Sequence, residues 1–176
     1  MADKALVMLL MGSDSDLPVM AEACKELERF GVPFEIHVSS AHRTPARTVE
    51  LVEQGQAAGV KVFICGAGGA AHLAGVVAAH TACPVIGVPM PTMALAGADS
   101  LYSTVQMPQG IPVATVAIGK AGAGNAGILA VQILAIGDPA LALKLKDFKK
   151  DLAEKVTKKD GELQAKGVKA YLAAMG

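Results

Sequence analysis

Residues 5–18 read ALVMLLMGSDSDLP, and the architecture follows from this stretch. Its first seven residues are apolar without a break and stop at Gly12-Ser13-Asp14-Ser15-Asp16. An apolar run this short, ended by turn-forming residues, is a strand covered on both faces. Asp16 then serves as an N-cap, with Pro18 in the first turn of a helix whose buried stripe is Met20, Ala23, Leu27 and Phe30. Lys4 precedes the run, but its length and the absence of a cleavage site argue against a secretory leader. Strand, glycine-bearing loop and helix make the opening half of a βαβ unit.

The same alternation continues outward. Strands are expected at 34–38, 61–65, 85–88 and 113–118, and helices from Thr44 with Pro45 at its first position, then over 72–80, 97–106 and 122–136. The fold class is therefore α/β: a three-layer, flavodoxin-like or Rossmann-like parallel sheet of order 2-1-3-4-5 with a C-terminal helical extension. A chain of 176 residues suits one domain, with its α/β core over 1–137 and its tail over 138–176. In that tail Leu141, Leu145, Phe148, Leu152 and Val156 recur at helical spacing among nine lysines. The stripe fits packing on its own domain or on a neighbouring subunit.

Sixteen Lys and Arg balance sixteen Asp and Glu, which excludes a general nucleic-acid binder. Cys24, Cys65 and Cys83 form no C-x-x-C pair; they read as reduced thiols of a cytoplasmic protein with no metal site. Over 62–137 Asp99 and Lys120 are the only Asp, Glu, Lys or Arg residues. Proline and glycine interrupt that segment too often for a membrane span of about 20 apolar residues. Helices so poor in charge need more cover than a monomer of this size provides, so a homo-oligomer with a large apolar interface is expected.

Ligands of open parallel sheets bind beyond the carboxyl ends of the strands, where the strand order reverses. Three loops meet there. Gly12, Ser13 and Ser15 supply N–H and hydroxyl groups for an anion, or form a plain capping turn. Two carboxylates beside a phosphate would repel it, so Asp16 is set against ribose hydroxyls and Asp14 against solvent. In the second loop Arg43 offers a bidentate fork, Ser40 a neutral donor and His42 a proton carrier at neutral pH. In the third, the glycines allow close backbone approach to a ligand or between helices, while His72 either orients another group or only caps a helix.

Residues 66–71 match G-x-G-x-x-A and residues 122–127 match G-x-G-x-x-G, but neither follows the first strand, so close backbone approach, to a ligand or between helices, explains them better than a dinucleotide. Gly119-Lys120 lacks the leading glycine and the Ser/Thr of a Walker A loop. Cys65 has no base near it in sequence, and His37 and His80 are structural.

Six blocks then stand in order: Met11-Gly12-Ser13-Asp14-Ser15-Asp16, Ser40-Ala41-His42-Arg43-Thr44-Pro45, Gly66-Ala67-Gly68-Gly69-Ala70-Ala71-His72-Leu73, Asp99-Ser100-Leu101-Tyr102-Ser103, Gln106-Met107-Pro108 and Ala117-Ile118-Gly119-Lys120-Ala121-Gly122. With these the chain resembles the bacterial-type N5-carboxyaminoimidazole ribonucleotide mutases of purine biosynthesis. Ala74 departs from the resemblance, where proline is expected after His-Leu. Arg43 favours the mutase branch over the carboxylase branch, which carries lysine there.

The resemblance implies conversion of N5-carboxyaminoimidazole ribonucleotide to 4-carboxy-5-aminoimidazole ribonucleotide with no cofactor and no metal. It implies His42 as acid and base, with Ser13, Asp16 and Arg43 on the ribonucleotide and Ser15 and Ser40 assisting at the phosphate. It also implies Ala41 beside the ligand, a backbone wall running from Gly68 through Gly69 and Ala70 to Leu73 around released CO2, and an octamer about a fourfold axis with the C-terminal helix reaching a neighbour. Two readings compete: a carboxylase using CO2 directly, and a non-catalytic flavodoxin-like module for FMN or a nucleotide. The shortage of aromatics, with no Trp and only Tyr102 and Tyr171 as tyrosines, speaks against flavin stacking.

Overall fold

All five residues of β1 (Val7–Met11) are buried, as are all five of β4 (Val85–Pro89). A strand of unbroken apolar character needs this, because alternate side chains leave opposite faces and both faces must be covered. The computed structural model describes residues 4–175. Between and after those strands come α1 (Leu17–Phe30), β2 (Phe34–Val38), α2 (Pro45–Ala58), β3 (Val62–Ala67) and α3 (Leu73–Ala79), then α4 (Ala98–Val105), β5 (Ala114–Thr115), α5 (Gly119–Ala135) and α6 (Pro139–Ala173). The chain divides into two compact units, one ending at Leu134 and one beginning at Ala135.

In the first unit every strand pairing is parallel and the order is β2-β1-β3-β4-β5, as expected from the sequence. Met8, Leu10, Phe63, Cys65 and Val85 point to one side, where Leu51 and Val52 of α2 and Leu73, Ala74 and Val77 of α3 complete a buried cluster. Residues of opposite parity, Val7, Leu9, Ile64, Ile86 and Val88, are equally buried beneath the other helical layer. That layer includes α1, which buries Met20, Ala23, Leu27 and Phe30, the stripe read from the sequence. It also includes α5, whose Gly127 lets the two helices meet: a Cβ there would stand 2.7 Å from the Ala23 carbonyl oxygen. The 122–127 glycine pattern thus lies inside a helix, with Gly122 against the Ala117 backbone and Gly127 against α1, while Gly124 has open space beside it.

Several extents differ from expectation, and β1 begins at Val7, two residues after Ala5. The 113–118 run yields only two paired residues in β5, because Pro112 has no N–H to donate and Gly119, at φ 76°, turns the chain into α5. Helix α5 consequently starts three residues before the expected Gly122. The third strand runs on to Ala67, so the third loop begins later than expected.

In the second unit Asp138 accepts hydrogen bonds from the Ala140 and Leu141 N–H groups and caps α6. Leu141 is buried, whereas Leu152 and Val156 of the same stripe are exposed. At Gly167 the backbone leaves helical geometry, with φ 73° and ψ 161°. Among the described residues no helix is long and apolar enough to cross a membrane.

Candidate functional site

The strand order reverses between β1 and β3, and the loops leaving β1, β2 and β3 surround that point. The first loop is held by its own side chains. The Ser13 hydroxyl accepts the Ser15 N–H at 3.3 Å, while Asp16 Oδ2 accepts the Ser13 N–H at 3.2 Å, a reciprocal capping box on a single 3-10 turn. Asp16 does stand at the N-cap position of α1, but its carboxylate turns back to Ser13 and caps nothing in the helix. Partial burial raises its pKa above the ordinary aspartate range; the Ser13 N–H pulls the other way, and neighbouring Asp14 adds repulsion.

Short bonds also shape the second loop. The Arg43 N–H donates to the Ser40 hydroxyl at 3.2 Å, and Thr44 Oγ1 accepts the Ser40 N–H at 3.0 Å. Pro45 then opens α2 with φ already set and no N–H to satisfy. Arg43 Nη2 crosses to the first loop and donates to the Gly12 carbonyl at 3.0 Å. This uses one of five guanidinium donors, so the fork keeps capacity for an anion.

The third loop depends on distant residues. Gly69 adopts φ 66°, open to glycine at little cost. Its N–H donates to Ser100 Oγ at 3.0 Å, and the Ala71 N–H donates to Ser103 Oγ at 2.9 Å. His72 occupies the N-cap position of α3 without a side-chain cap bond. Its ring meets the second loop instead: His72 Nδ1 lies 2.8 Å from His42 Nε2, with the rings edge to face at 82°.

These loops enclose a cleft of about 340 Å³ lined by Gly12, Ser13, Asp16, Ser40, Ala41, His42, Arg43, Ala67, Gly68, Ala70, His72 and Leu73. Two residues expected at the site do not line it. Ser15 is exposed with its hydroxyl turned to Ser13 at 2.9 Å, and the Gly69 N–H is taken from behind by Ser100. Ala67 lines the cleft unannounced, because a last strand residue carries no chemical signal. Asp14, expected in solvent, is exposed and borders an adjoining cleft of about 390 Å³ with Val38 and Thr44.

The cleft joins two capacities. At one end Arg43, with the hydroxyls of Ser13 and Ser40, suits an anion. At the other, two imidazoles share a hydrogen bond that only one of them donates, which suits proton transfer. Among the described residues no group of three or more His, Cys, Asp or Glu side chains is placed to hold a metal ion. Complete burial drives the Cys65 thiol far above its ordinary range, so it is no nucleophile. His37 pairs with Glu35 at 3.3 Å on β2 and His80 ends α3, both outside the cleft.

Comparison with known proteins converges on one group. The profile of a family described as AIR carboxylase matches residues 6–155. An "N5-carboxyaminoimidazole ribonucleotide mutase" of Synechocystis sp. is 56% identical over 167 residues, covering 95% of this chain and 94% of that one. A "Phosphoribosylaminoimidazole carboxylase" of Candida glabrata is 53% identical over 169 residues, covering 96% of this chain but 29% of that longer one. The crystal structure of Treponema denticola PurE superposes with a TM-score of 0.83 at 33% identity, covering 90% of this chain and 98% of that one.

Proposed function

The chain belongs to the AIR carboxylase family, and on that footing we propose that it converts N5-carboxyaminoimidazole ribonucleotide into 4-carboxy-5-aminoimidazole ribonucleotide, with His42 carrying the proton. The enzyme is an isomerase: it moves a carboxyl group within one small ribonucleotide. The observation that carries the reading is the imidazole of His42 at the cleft, held by His72 and next in sequence to Arg43.

The chemistry follows from that placement. Protonated His42 gives its proton to the exocyclic nitrogen as the nitrogen–carboxyl bond breaks, leaving CO2 and a neutral amine. The ring carbon C4 then bonds to CO2 while still bearing its hydrogen, and neutral His42 removes that hydrogen to restore aromaticity. One proton is lent and returned, and no electrons leave the substrate. With Nε2 engaged by His72, Nδ1 is the nitrogen of His42 left for the ligand. Arg43, Ser13 and Ser40 hold the phosphate, with Ser15 assisting, and Asp16 faces the ribose hydroxyls. The Gly68–Leu73 backbone keeps CO2 beside the ring, where proximity favours recapture over escape.

The same footing supports a homo-octamer around a fourfold axis, favoured by the charge-poor 62–137 segment and by exposed Tyr102 and Val105 on α4. Light scattering should then read eight times the 17.9 kDa chain mass; a monomer overturns this part. A cytoplasmic location fits the free thiols of Cys24, Cys65 and Cys83. We assign the activity to one domain, with its core over 1–137 and a tail over 138–176.

Two substrates separate this reading from the direct carboxylase that the fungal relative's name describes. The N5-carboxylated ribonucleotide should yield product at a rate that added bicarbonate leaves unchanged. Product formed only from aminoimidazole ribonucleotide plus bicarbonate would overturn it.

A further inference from the structure

Ser100 and Ser103 sit about one turn apart on α4, far from the cleft in sequence, and both direct their hydroxyls at the third loop. Ser100 is fully buried, and its Oγ accepts the Gly69 N–H at 3.0 Å. Ser103 Oγ accepts the Ala71 N–H at 2.9 Å and lies 2.6 Å from the Asp99 carbonyl and 2.9 Å from that of Gly69. A helical serine bonded only to the carbonyl one turn back is ordinary. Here the same oxygen also takes an N–H from Ala71, which is 1% exposed and has no solvent to turn to.

The helix that offers these hydroxyls is itself anchored. Thr92 Oγ1 donates to Asp99 Oδ1 at 2.6 Å and accepts the Gly97 N–H at 3.1 Å, fixing the N-terminal end of α4 to the segment after β4. Directly after the clamped residues the chain reaches His72, whose ring meets His42. The loop's height above the cleft is therefore set from α4, as is the position of the ring opposite the proton carrier.

We infer that Ser100 and Ser103 are positioning residues for the reaction: by clamping Gly69 and Ala71 they hold the wall that keeps released CO2 beside the ring until C4 captures it. This rests on the carboxyl-transfer reading above. Without a clamp the loop relaxes, CO2 escapes to solvent, aminoimidazole ribonucleotide is left behind, and any carboxylation that follows draws on dissolved CO2.

The test uses full-length Ser100→Ala, Ser103→Ala and Ser103→Thr with the N5-carboxylated substrate in buffer containing 13C-bicarbonate. Product is weighed by mass spectrometry and free aminoimidazole ribonucleotide is quantified. The wild type should return product almost free of label. Each alanine variant should lose about tenfold in kcat, with KM within about threefold, and should release aminoimidazole ribonucleotide and incorporate label. Ser103→Thr, which keeps the hydroxyl, should restore retention.

Folded alanine variants with wild-type kcat and unlabelled product overturn the inference, and so does slower turnover without label. Should an alanine variant fail to fold, Ser103→Cys, a weaker hydrogen-bond partner, carries the same test. If the wild type makes no product from this substrate, the functional reading falls. If it does and the variants match it, the clamp alone falls.

Discussion

The second and third loops reach one cleft on opposite kinds of support. Around His42 the backbone bonds are short-range, Ser40 to Arg43 and Thr44, and two side chains reach out of the loop, Arg43 to Gly12 and His42 to His72. Around His72 the backbone bonds run to α4, at separations of 31 and 32 residues. A locally capped loop keeps its shape when distant parts of the chain move, whereas a loop hung from another helix keeps its shape only while that helix stays in place. The group that exchanges the proton is on the first kind, and the enclosing wall is on the second.

Substitutions can break this division of labour. His42→Asn should lower kcat by roughly a hundredfold or more while ligand affinity stays within about threefold, since only the acid and base is lost. Near-normal turnover would move the proton carrier elsewhere, with His72 the first place to look. Arg43→Ala should act mainly on affinity, weakening ribonucleotide binding by about ten- to a hundredfold in calorimetry. Unchanged affinity would mean that the tie to Gly12 is its whole task.

A subtler effect sharpens the picture of the first loop. Burial lifts the Asp16 pKa above its unfolded value, so folded protein holds this proton more tightly than unfolded chain does. Asp16 therefore favours the folded state at low pH, and that contribution is lost as pH rises from the ordinary aspartate range through the raised value. In thermal melts at stepped acidic pH, Asp16→Asn should remove that loss and weaken ribonucleotide binding at neutral pH. A melting profile with unchanged pH dependence would show that the carboxylate is not desolvated in solution.

Local and distant support also separate what the sequence made legible from what it did not. The β1 run, the α1 stripe and the Thr44-Pro45 helix start were readable because period, cap and proline act within a few residues. The serines, histidines and arginine of the cleft were readable for the same reason, since they carry their chemistry in their names, whereas Ala41, Ala70 and Leu73 entered only through the resemblance. Which way Ser15 turns was not readable, because a hydroxyl near an anion loop looks the same whether it faces the cleft or its neighbour Ser13. Ser100 and Ser103 stood in a block that marked the family, yet nothing in the string ties them to Gly69 and Ala71. The 113–118 run looked like a full strand because its apolar pattern says nothing of how few residues find a partner.

The shortness of β5 matters in crowded solution. A long outer strand shows a row of unpaired N–H and C=O groups on which a stray chain can zip, one route to fibrils. On this margin the ladder ends after two residues, so an incoming strand finds little straight edge to pair with. The sheet thus closes its weaker border by truncation, needing no charged guard in a segment that has almost none.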